Sequence, residues 1–111
     1  RLGKFDRAIP HLLEAARLAP ANAEVHSELG SALATKGNLD EAIIQFQEAL
    51  RYRPDNPLTH YFLAKALVAQ GTVAEAAPHY REALRLRPDF TQAREALEAL
   101  GVQVVPGAKS E

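Results

Sequence analysis

Four histidines, His11, His26, His60 and His79, are the side chains of this 111-residue sequence best suited to proton transfer or metal ligation. Their spacing argues against both. His26 and His60 hold one position of a 34-residue repeat, and His11 and His79 hold another, two repeats apart. Equivalent residues of neighbouring units packed at helix spacing lie about 10 Å apart. A shared metal sits near ~2 Å from each of its ligands. The histidines therefore read as packing elements, and no catalytic, cofactor-binding or metal-ligating residue is expected. Ser27, Ser31 and Ser110 have no sequence context that would activate them. Cysteine is absent, which removes disulfides, thiolate nucleophiles and thiolate metal sites together. No glycine loop for phosphate and no nucleophile–base motif is present, so the chain is expected not to be an enzyme.

The arginines are the other chemical signal. Arg51, Arg53, Arg81, Arg85 and Arg87 crowd the ends of two predicted helices, where a stripe for nucleic acid would also place them. Cations there complement the helix dipole, and Glu48, Asp55, Glu82 and Asp89 are interleaved. With a net charge of −1 no field favours nucleic acid or an anionic membrane. No apolar run approaches the length of a membrane span. A soluble, cytoplasmic domain without nucleic-acid binding or membrane insertion is expected.

The elements follow from the repeat. Residues 23–56 and 57–90 agree at 14 of 34 positions, most of them Leu, Ala, Gly and Pro. A fixed period of this length marks stacked repeats, whose core forms between units. Residues 3–22 repeat the second half of the unit: Gly3, Pro10, His11, Glu14 and Arg17 return as Gly71, Pro78, His79, Glu82 and Arg85. Apolar periodicity predicts helices over 5–18, 23–36, 39–53, 57–70, 73–86 and 90–100. Asn22 and Asn56 are N-cap candidates, with Pro57 at a first helical position. Gly37, Gly71 and Gly101 are helix-ending glycines. Asn38 with Glu41, and Thr72 with Glu75, have capping-box spacing. Pro10 and Pro78 fall within helices, where a bend or a late helix start would absorb them. Residues 1–101 form the repeat domain and 102–111 a flexible tail.

The pattern resembles the tetratricopeptide repeat. It stands as His26-x2-Leu29-Gly30-x2-Leu33, Ala42-x3-Phe46 and Pro54, then as His60-x2-Leu63-Ala64-x2-Leu67, Ala76-x3-Tyr80 and Pro88. Histidine replaces the leading aromatic in both units, and Ala64 replaces the glycine in the second. The resemblance implies an all-α fold, a right-handed superhelical stack of about five helices in antiparallel pairs with a terminal capping helix over 90–100. It also implies a concave groove lined by first helices. The groove residues would be Glu24, Ser27, Ser31 and Ala34, then Leu58, Tyr61, Lys65 and Val68, then Gln92 and Glu95. Their expected occupant is a protein or peptide segment. The lysine and asparagine of the family's carboxylate clamp are missing at Ser27 and Ser31, which argues against a chaperone-tail ligand. The groove asparagines of the O-linked sugar transferase are missing too.

The leading functional expectation is a non-catalytic interaction module or scaffold; the alternative is a substrate-docking or regulatory arm of a larger enzyme or membrane protein. The half repeat at the start suggests a fragment of a longer repeat protein. Its stripe of Phe5, Ile9, Leu12 and Leu13 would be only half covered, so a homo-oligomer through this open end is expected.

Overall fold

The computed structural model describes residues 2–104, with side chains over 7–101. Six helices occupy these residues: α1 (Leu2–Leu18), α2 (Ala23–Thr35), α3 (Leu39–Tyr52), α4 (Pro57–Gln70), α5 (Val73–Leu86) and α6 (Thr91–Val104). The fold is all-α, with one helix at each of the six stretches that apolar periodicity predicts. They fall into two compact units that meet in sequence at Asp55 and Asn56. In the first, α2 and α3 form an antiparallel hairpin and α1 packs on α2. In the second, α4 and α5 form the hairpin and α6 packs on α5. Among the described residues no helix is long and apolar enough to cross a membrane.

Helix starts follow the sequence. The Asn22 side-chain oxygen accepts from the Glu24 and Val25 N–H groups at 3.1 and 3.2 Å. Asn56 does the same for Leu58 at 3.0 Å, with Pro57 at the first helical position, where no N–H is needed. Both hairpin turns are built alike. Gly37 and Gly71 hold φ of +92° and +99°. Each lets the next residue reach back, so that Asn38 N–H donates to the Leu33 carbonyl and Thr72 N–H to the Leu67 carbonyl, both at 2.9 Å. That is the Schellman closure of an α-helix, and it depends on a residue that tolerates positive φ.

Four local expectations are corrected. The capping boxes do not form, since neither Asn38 nor Thr72 makes a side-chain cap bond. The Thr72 hydroxyl instead donates backwards to the Leu67 carbonyl at 3.1 Å, into the turn it follows. Gly101 does not end its helix: φ is positive at Gly37 and Gly71 alone among the described residues, and α6 continues through Gly101 to Val104. Residues 102–104, assigned to a tail, are therefore helical; the rest of that tail lies outside the described residues. Finally, α1 begins at Leu2 rather than Phe5, and α5 begins at Val73, so a late start absorbs neither Pro10 nor Pro78. Both prolines are exposed, as is Ala74, whose carbonyl loses its helical donor at Pro78 and is open to water.

The core of each hairpin is made close by small residues. Leu29, Ala42, Phe46 and Ala49 are at most 1% exposed in the first, and Leu63, Ala64, Ala76 and Ala83 in the second. The tightest point is Gly30. A Cβ placed there would stand 2.8 Å from Cε1 and 2.9 Å from Cδ1 of Phe46. The ring therefore lies on bare backbone inside the hairpin. In the second unit Ala64 and Tyr80 hold the equivalent positions, and both are buried.

Gly30→Ala should thus lower stability by about 1–3 kcal/mol through overpacking, although alanine in a helix interior is otherwise favoured by roughly 0.5–1 kcal/mol. Chemical denaturation of G30A, and of G30A with Phe46→Leu, checks this. The double variant should recover part of the loss, because the clash is with the ring.

Candidate partner-binding surface

The expected surface residues lie on three helices. On α2, Glu24 is exposed, and Ser27, Ser31 and Ala34 are half-buried. On α4, Leu58 and Lys65 are exposed while Tyr61 and Val68 are half-buried. Gln92 and Glu95 are exposed on α6. Helical spacing places each set along one stripe of its own helix.

Only the α4 stripe carries a built arrangement of rings and charge. The Tyr61 ring lies 4.9 Å from Phe90, 5.9 Å from Tyr80 and 5.5 Å from Phe62, centroid to centroid and tilted in each case. These are the separations at which aromatic edges and faces attract. Arg87 covers the Phe90 ring at 5.1 Å. On the open side, the Lys65 ammonium stands over Tyr61 at 5.4 Å. Burial, reinforced by the neighbouring Tyr61, pushes the Tyr80 phenol up to about 12, so it stays protonated and serves as packing. Tyr61 is thus held from one side by the core and presents its other side beside a cation.

The buried histidines sit behind these stripes. His26 is 7% exposed. Its Nε2–H donates to the Pro20 carbonyl at 2.7 Å, and its Nδ1 lies 2.8 Å from Oε1 of the Gln45 amide. A half-turn of that amide presents an N–H to the ring. One imidazole thereby ties α2 to α3 and to the loop after α1, and it stacks on Tyr52 at 6.2 Å. In the second unit His60 faces His79, Nδ1 to Nδ1, at 3.1 Å. Comparing equivalent histidines of different repeats missed this pairing. The nineteen-residue separation of His60 from His79, also that of His26 from Gln45, was the available signal, readable once the hairpin register is known.

The arginine pattern resolves into a repeated pair. Glu14 with Arg17, Glu48 with Arg51 and Glu82 with Arg85 are ion pairs at i,i+3 near helix ends, one per repeat. Hydrogen bonding to the arginine holds the Glu14 and Glu82 carboxyls below the ordinary glutamate range. Among the described residues no group of three or more His, Asp or Glu is placed to hold a metal ion.

The first unit also contains a groove of about 490 Å³, which the sequence did not indicate. Ile9, Pro10 and Leu13 of α1 line it with Leu33, Lys36, Glu41 and Ile44. Leu13 and Ile44 are 52% and 55% exposed there.

Comparison with known proteins follows the same lines. A family profile described as tetratricopeptide repeat matches residues 1–57 and 45–89. No curated protein sequence gives a significant match. Among solved structures, the first repeat domain of Spaghetti, bound to an HSP90 peptide, is similar with a TM-score of 0.89 at 20% identity, over 92% of this chain and 81% of that one. MamA from MSR-1 is 38% identical over 75% of this chain and 48% of its own, with a TM-score of 0.71. The O-GlcNAc transferase of Thermobaculum terrenum is 28% identical with a TM-score of 0.84, over 95% of this chain. This chain spans 20% of that transferase and about half of that MamA chain.

Because Tyr61 is anchored in the aromatic cluster, Tyr61→Ala should cost about 1–3 kcal/mol of stability, while Tyr61→Phe and Lys65→Ala should each stay within about 0.5 kcal/mol. Denaturation curves of the three variants measure this. A neutral Tyr61→Ala would mean that the ring is not held as described.

Proposed function

The chain belongs to the tetratricopeptide-repeat family, and from that membership we propose a non-catalytic interaction module that takes up a peptide or partner segment on the α4 stripe. The observation that carries this reading is the pairing of an exposed apolar side chain, Leu58, with a Tyr61 ring already immobilised and a Lys65 ammonium beside it. Pre-ordered aromatic anchors lose little entropy on binding, and aromatic residues dominate interface energetics. The chemistry suits a segment offering an apolar side chain toward Leu58 and Tyr61 and a carboxylate toward Lys65. Peptide binding by the Spaghetti domain supports the general mode. Its HSP90 ligand is not carried over, because Ser27 and Ser31 stand where the resemblance calls for a clamp lysine and asparagine. The similarity to part of a sugar transferase keeps a second setting in view, with this same surface serving as the docking arm of a larger protein.

Lys65→Ala and Leu58→Ala should each weaken partner capture several-fold with unchanged stability, whereas Arg85→Ala, already paired with Glu82, should leave capture unchanged. Affinity measurement against a partner recovered by the intact protein decides it. Dependence on Arg85 without dependence on Lys65 or Leu58 would move the surface to the second helices.

A second reading rests on the first unit. Leu13, Leu18 and Ile44 are more than half exposed, and the groove beside α1 is lined by the first and last of these. We propose that this face supports self-association, as expected from the open stripe of Ile9, Leu12 and Leu13; the Phe5 side chain of that stripe lies outside the described residues. Light scattering across a concentration series should show dimers or larger species, and Leu13→Glu should shift them to monomer. A monomer throughout would remove this reading.

A further inference from the structure

His60 on α4 and His79 on α5 meet across the second hairpin with their Nδ1 atoms 3.1 Å apart and their ring centroids 5.4 Å apart. That is the separation of an N–H···N hydrogen bond, and a single proton between the two nitrogens satisfies it. Protonation of both rings would make both Nδ1 atoms donors with no acceptor between them and set two like charges against each other across the contact. The surroundings do not dissolve the conflict, because His60 is 8% exposed and His79 is half-buried. The first hairpin carries Gln45 at the position equivalent to His79, facing His26. An amide does not take up a proton in the physiological range.

Glu75 and Glu82, on the same helix as His79, favour its protonated form, and Glu82 is engaged by Arg85. From α4 comes His60, which opposes protonation, while Lys65 is exposed and stands over the Tyr61 ring. On α6, Arg94 donates to the Pro88 carbonyl, and Glu95 and Glu98 are exposed. Burial first, then His60, outweigh the two glutamates and hold His79 below the ordinary histidine range.

We propose that the His60–His79 pair is a proton-sensitive latch, which ties α4 to α5 while one proton lies between the Nδ1 atoms and loosens the second hairpin when acidification charges both rings. The inference stands apart from the binding reading, since it concerns the hairpin itself. As pH falls, the unfolded chain takes up the histidine proton first, because its value is ordinary while the folded value is depressed. The stabilisation is complete above about pH 6.5 and drains between there and the lowered folded value. Over that interval each proton raises the unfolding constant by up to about tenfold per pH unit.

The test is urea denaturation of the full chain at pH 7.5, 6.5 and 5.5, comparing the parent with His79→Gln and with Gln45→His. His79→Gln copies the first hairpin and should lose distinctly less stability on acidification, while Gln45→His should lose more than the parent. Titration of the parent by histidine NMR provides a readout independent of any variant's folding. His79 should titrate below the ordinary histidine range. Parallel acid losses in parent and His79→Gln, or a His79 that titrates in the ordinary histidine range, would overturn the latch.

Discussion

Each unit depends on how closely the two helices of its hairpin approach. At Gly30 the limit is reached, with the Phe46 ring against backbone and no room for a methyl group. Ala42, Ala49, Ala64, Ala76 and Ala83 extend the same condition, each almost fully buried on a helix that must come close to another. Short side chains bring less apolar area than leucine would, but they bring backbones near enough for long side chains of the opposite helix to interlock. A hairpin closed in this way has its large residues already placed, and Leu29, Phe46, Leu63 and Tyr80 are fixed as a consequence.

Close approach also explains the polar chemistry of the interior. Once the helices are drawn together, the position held by His26 or His60 lies opposite a residue nineteen places on. A buried imidazole must find partners for its nitrogens or lose the hydration it gave up. In the first unit an amide and a loop carbonyl provide them. In the second, another imidazole stands where the amide would be, and an otherwise passive structural contact becomes one that responds to protons. Two copies of one architecture therefore differ in chemistry by a single side chain across the hairpin.

The same division runs through the surface. The glutamate–arginine pairs repeat with the period, close to helix ends, and are satisfied within single helices. They account for Arg51 and Arg85, two of the arginines that, in sequence, resembled a basic stripe. The features particular to α4 are those that do not repeat: Tyr61 and Lys65 replace Ser27 and Ser31 at equivalent positions. Packing residues recur because every hairpin has the same geometric need; Tyr61 and Lys65 depart from the repeat on the face that remains accessible, which is where a partner would be distinguished.

Much of the fold was legible because its determinants are local. The 34-residue period, the asparagine caps before α2 and α4, the glycine turns at Gly37 and Gly71, and the apolar stripe of each helix all follow from residues within a turn or two of one another. Where local rules failed, a competing contact decided. Thr72 has capping-box spacing but spends its hydroxyl on the Leu67 carbonyl of the preceding turn. Gly101 has the residue type of a helix stop, yet nothing there imposes the positive φ that makes glycine one. The sequence by itself determined the repeats, their helices and the small positions of the hairpins. Only the tertiary structure decided that Phe46 rests on Gly30, that Tyr61 is clamped by Phe90, and that His60 meets His79. Each joins residues sixteen to twenty-nine places apart, and such partners are set by the register of one helix against another, which no local pattern specifies.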